Sequence, residues 1–165
     1  MPIKNNVFSI SKRSQLLYEK LGNHLLSSDL ILMLLMVAPI KGMTKMQKQV
    51  FLTWKELFKD VSVDLGYYPW KYGAYSKVVE NSVKILEKQQ LIEKRKRKGE
   101  GTIFDITKSG RNMIKNKIRI MRLDLRNLTE KKTDWDDWTS RGTLRYVYRN
   151  YPEYTSKTNI PSLKW

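Results

Sequence analysis

Residues 72–110 read YGAYSKVVENSVKILEKQQLIEKRKRKGEGTIFDITKSG, and the fold turns on what surrounds the five consecutive cations Lys94, Arg95, Lys96, Arg97 and Lys98. Ser76 has the short side-chain acceptor that caps a helix start. After it, Val79, Val83 and Leu86 recur at the spacing of one helix face, with Val78, Ile85 and Leu91 flanking them. The other face carries Lys77, Glu80, Asn81, Lys84 and Lys88. The spacing predicts a helix over 76–90. Gly99 and Gly101 permit a tight turn, while Ile103, Phe104 and Ile106 suit a pleated surface, so residues 91–107 read as strand, basic tip and strand.

Upstream, Ser28 offers a cap for a helix built on the apolar residues 30–38 and ended by Pro39. That run is far shorter than the ~20 residues a bilayer requires, and it lies too deep in the chain for a signal peptide, so it reads as a core helix. A further helix follows in GMTKMQKQVFLTWKELF, with Thr44 and Gln47 as a capping pair and Met46, Val50, Phe51, Trp54 and Leu57 facing inward. The connection KDVSVDLGYYPWKYG is rich in rings whose burial offsets the cost of ordering it, which predicts a fixed crossing. In order, residues 28–110 give helix, helix, connection, helix, strand, basic tip, strand. This is the succession of a winged helix-turn-helix, mainly α with a small β-hairpin.

Three flanking features complete the organisation. Residues 1–26 hold an amphipathic helix around Leu16, Leu17 and Leu21, read as an N-terminal extension of a domain spanning 27–110. Beyond it, Ile114, Ile118, Met121, Leu125 and Leu128 form a heptad-like seam along one helix over 111–128, for a second copy or for the chain's own domain. The rest of 111–165 is aromatic, with Thr133 and Asp136 reading as a helix start and Pro152 as its end. Asp134, Asp136 and Asp137 there are better explained by the first-turn dipole than by a metal.

Composition narrows the partners. With 32 Lys and Arg against 16 Asp and Glu, the formal net charge of the 165-residue chain is +16, which concentrates polyanions around it. The chain has no cysteine and a single histidine, His24, and lacks Gly-rich phosphate loops and HExxH or GxSxG patterns, so neither an enzyme nor a cofactor site is expected. The absence of thiols fits a cytoplasmic chain. Duplex DNA suits the remaining chemistry. Tyr75, Ser76, Lys77, Glu80, Asn81 and Lys84 would read the major groove, residues 94–101 would grip backbone or minor groove, and Thr44, Lys45 and Lys48 would add backbone contacts.

The chain also resembles a broad group of small winged-helix proteins common in archaea and found in bacteria. The resemblance rests on Gly42, Thr44, Gln47 and Lys48, on Tyr72, Gly73, Tyr75 and Ser76 of a Tyr-Gly-Pro-Tyr-Ser turn, and on Tyr151, Pro152, Glu153 and Tyr154. Ala74 stands where that turn has proline. The organisation is similar to PadR-like regulators, which implies a DNA-binding transcription regulator, dimeric through residues 114–128. More distantly similar antitoxin domains imply the alternative, a protein partner held by Trp135, Trp138, Tyr146 and Tyr148.

Overall fold

The computed structural model describes residues 22–155; the predicted helix near residues 11–26 lies mostly outside them, its apolar positions Leu16, Leu17 and Leu21 included. At the centre is α1, Ser27–Val37, in which every residue from Leu30 to Leu35 is buried. A helix that is apolar on all sides must be surrounded, and α1 is covered by the later helices and by the sheet. Its start is capped by Asp29, whose Oδ2 accepts the Leu26 N–H at 2.8 Å; Ser28, expected in that role, is already helical. The helix stops before Pro39 because the residue ahead of a proline resists the α conformation, and Ala38 is extended.

Strand β1, Ile40–Lys41, leads into α2, Met43–Glu56. Gly42 begins α2 with φ 84°, its N–H donating to Thr102, so Thr44 is not the cap. A turn of 3-10 helix at Lys59–Val61 and a pairing of Leu25 with Ser62 follow. The ring-rich connection is ordered as predicted, and it contains an antiparallel hairpin of β2, Tyr68–Trp70, and β3, Gly73–Tyr75. Helix α3, Lys77–Lys88, then precedes β4, Ile92–Arg97, and β5, Gly101–Ile106. The sheet runs in the order β1-β5-β4, all antiparallel, with Ile40 opposite Phe104 and Ile92 opposite Ile106.

The expected long helix over 111–128 is two helices. Helix α4, Lys108–Met121, ends where Arg122 turns left-handed at φ 53°, and α5, Arg126–Asp137, begins after a short corner. A close approach fixes the start of α4: a Cβ on Gly110 would lie 2.0 Å from the Leu91 carbonyl oxygen. The seam is spent inside the chain. Ile114 and Leu128 are buried, and Ile118, Met121 and Leu125, partly buried, pack against the same core, so the seam serves the chain's own domain.

Thr133 does not start a helix either, being well inside α5. Asp134, Asp136 and Asp137 therefore sit in its last turns, where the dipole disfavours them. Asp136 is held by side-chain donors instead: the Lys132 ammonium donates to both its carboxylate oxygens, at 2.9 and 2.7 Å, and the neutral Gln49 amide donates from Nε2 to Oδ1 at 2.7 Å. Thr139 caps α6, Ser140–Asn150, by accepting the Gly142 N–H. A final 3-10 turn, Pro152–Tyr154, brings Tyr151 and Tyr154 edge-on to Phe51 at 5.1 and 4.8 Å between ring centres. One core cluster runs from Leu25 to Val147, so the C-terminal helices share the interior of residues 27–110.

Among the described residues no helix is long and apolar enough to cross a membrane, and no group of three or more His, Cys, Asp or Glu could hold a metal ion.

Candidate nucleic-acid interface

Helix α3 is set on the molecule by its first turn. The Ser76 hydroxyl accepts the Val79 N–H at 3.1 Å and donates to the Leu65 carbonyl at 2.5 Å. The Gln47 amide of α2 bonds the same residue twice: its Nε2 donates to the Ser76 carbonyl at 2.8 Å, and its Oε1 accepts the Ser76 N–H at 2.9 Å. Gln47, expected to close a capping box at its own helix, thus pins the start of another. Val79, Val83 and Leu86 then face the core, while Ser82 shares a hydrogen bond with Ser27 of α1.

The outward face keeps most of the predicted residues. Lys77, Asn81, Lys84 and Lys88 are exposed. Glu80, half-buried, accepts Lys77 at 3.2 Å and Lys84 at 3.0 Å, pairs worth only a few tenths of a kcal/mol each at a surface. Such pairs are readily exchanged for a phosphate. Ser76 must be removed from the reading set, because it is fully buried and both its hydroxyl roles are internal. Tyr75 belongs to β3, and its ring packs against Tyr68 and Trp70.

The basic run is not a hairpin tip. Lys94, Arg95, Lys96 and Arg97 lie in β4, the edge strand of the sheet, and the turn is made by Lys98, Gly99 and Glu100. Strand alternation divides the run. Lys94 and Lys96 project with Ile92 toward the helical side, and Lys94 meets Glu87 of α3 at 3.7 Å. Arg95 and Arg97 project to the other side, where Arg95 bonds Asp105 at 3.0 Å and Arg97 lies 3.9 Å from Glu100. Charged residues on an edge strand also discourage pairing with another sheet.

The upstream cations behave differently. Thr44 is exposed, but Lys45 donates to the Asp136 carbonyl at 3.2 Å. Lys48 is only 3% exposed and donates to the Ala74 carbonyl at 2.6 Å, so it cannot serve as a backbone contact. Burial without a carboxylate partner lowers its pKa to about 8. The aromatic tail also turns inward. Trp135 and Tyr148 are buried, and Tyr146 donates to Glu56 at 2.7 Å; burial and then that bond raise the Tyr146 pKa to about 12.

Sequence reasoning placed two exposed groups with the core. Val78 and Ile85 stand on the outside of α3, and Tyr68, Trp70 and Tyr72 decorate the β2–β3 hairpin. A signal for the first pair existed, since seven residues separate them on a line beside the 79, 83, 86 stripe. No family model, curated protein or solved structure matches the chain.

Proposed function

We propose that the chain is a winged helix-turn-helix protein that binds double-stranded DNA sequence-specifically as a transcription regulator. Helix α3 would enter the major groove, and the basic hairpin of β4 and β5 would lie on the adjacent backbone or minor groove. The observation that carries this reading is the approach of Lys94 on the edge strand to Glu87 on the flank of α3. It brings the row of Lys94 and Lys96 alongside the helix whose free face holds Lys77, Asn81, Lys84 and Lys88. The sheet order β1-β5-β4 behind three helices supports the fold assignment, and the net charge of +16 supports a polyanion as partner. The inward-turned rings of α5 and α6 offer little to the competing antitoxin-type role.

Replacing Lys94, Arg95, Lys96, Arg97 and Lys98 together by glutamine tests the reading by titration of labelled duplexes at several salt concentrations. Affinity for every duplex should fall, with the slope of log K against log salt shallower by about 0.9 per lost phosphate contact. Asn81→Ala should instead change preference among sequences, by roughly 1–3 kcal/mol at one base pair. Unchanged affinity and slope in the five-residue variant would overturn the wing. Capture of one stoichiometric protein partner, with no salt-sensitive duplex binding, would favour the antitoxin-type role.

A further inference from the structure

The free side of α3 is not uniformly polar. Val78 is 48% exposed and Ile85 is 54% exposed, although Val79, Val83 and Leu86 already supply the helix with its core face. At 3.6 residues per turn, positions 78, 81 and 85 fall along one line of the helix surface, with Asn81 between the two aliphatic residues. Lys77, Lys84 and Lys88 run beside that line. An apolar pair framed by cations suits a surface that is itself apolar in patches and bordered by negative charge. The major groove is such a surface, because thymine alone presents a methyl group there and phosphates line both edges.

The dimensions agree. Seven residues of α-helix rise about 10.5 Å, and three base-pair steps of about 3.4 Å span nearly the same length. Val and Ile are also held to few rotamers in a helix, so their methyl groups are placed in advance of contact. Asparagine pairs with the N6 and N7 edge of adenine.

Resting on the DNA-binding reading above, we propose that Val78 and Ile85 read the methyl groups of two thymines about three steps apart, with Asn81 on an adenine between them. The target site is then A·T-rich, and hydrophobic contact supplies part of its specificity.

The test begins with duplexes selected by the full chain from a randomised double-stranded library. Each thymine of a selected duplex is then replaced singly by deoxyuridine, which removes only the methyl. Two positions about three steps apart should each weaken binding about fourfold, the effect of one buried methyl group. Val78→Ala should abolish the effect at one position and Ile85→Ala at the other, and thermal unfolding should show both variants folded, since their side chains are exposed. If deoxyuridine has no effect while salt-sensitive, sequence-selective binding persists, or if both variants respond like the parent chain, the methyl reading is overturned and DNA binding stands. If no duplex is bound in a salt-sensitive way, both readings fall. The deoxyuridine series on the unmodified chain decides the matter even if a variant unfolds.

Discussion

Lys48 and Lys132 differ from Lys77 and Lys84 in nothing that composition records, yet the fold uses the two pairs in opposite ways. The first pair lies inside the seam where α2, α5 and the β2–β3 hairpin meet, at 3% and 0% exposure. Each is spent on an internal acceptor: the Ala74 carbonyl for one, the Asp136 carboxylate for the other. The second pair stands on α3 with a shared surface partner, Glu80. What separates them is solvation. A buried ammonium has lost its water and must keep its acceptor, whereas an exposed one exchanges acceptors at little cost. Net charge therefore overstates the cation available to a ligand, and the lysines worth counting are those whose partners are replaceable.

The contrast can be broken most sharply at Asp136. Asp136→Ala strands the Lys132 ammonium with no exposure, and urea unfolding should show a loss of about 3–5 kcal/mol. A loss below about 0.5 kcal/mol would mean that Lys132 is solvated like the α3 lysines. Next comes Lys48, whose folded pKa of about 8 lies below its ordinary 10.5. Between these values the unfolded chain binds more protons than the folded one, so stability rises as pH increases from about 8. The Lys48 share of the gain by pH 10 should be on the order of 2 kcal/mol, and Lys48→Met should remove that share, leaving the part due to Lys132, whose pKa burial also lowers. Readings stop at pH 10, because burial raises the pKa of Tyr67 and Tyr146 above the ordinary value and folded-state protons there reverse the slope. The smallest effect belongs to Lys84→Gln, which should leave the unfolding free energy within about 0.5 kcal/mol of the parent chain. Its salt slope for duplex binding should nevertheless become shallower by about one contact.

Periodicity located the elements that bury one clean face. It found α2 and α3; an unbroken apolar run ended by Pro39 marked α1, and glycines beside β-favouring residues marked the hairpin of β4 and β5. The corner between α4 and α5 escaped it: Met121, Leu125 and Leu128 continue the seam straight across Arg122, with no glycine or proline to mark a break. Two-residue β1 and three-residue β2 and β3 are too short to show alternation, and they exist because tertiary partners complete them. The roles of Ser76, Gln47 and Lys48 were illegible for a related reason. Each is decided by an acceptor or donor many residues away, which spacing along the chain does not encode. The charged face of α3 was legible because nothing else covers it.

The pair of hydrogen bonds between the Gln47 amide and the Ser76 backbone has a mechanical consequence. It acts as a pivot at one end of a lever: the twelve residues of α3 extend about 18 Å beyond it, so a tilt of about 10° at Ser76 would carry Lys88 roughly 3 Å sideways. Functional groups must be held to about 0.5 Å. Aim at the far end of the helix thus depends on a side chain of α2, a helix that needs to touch no base at all.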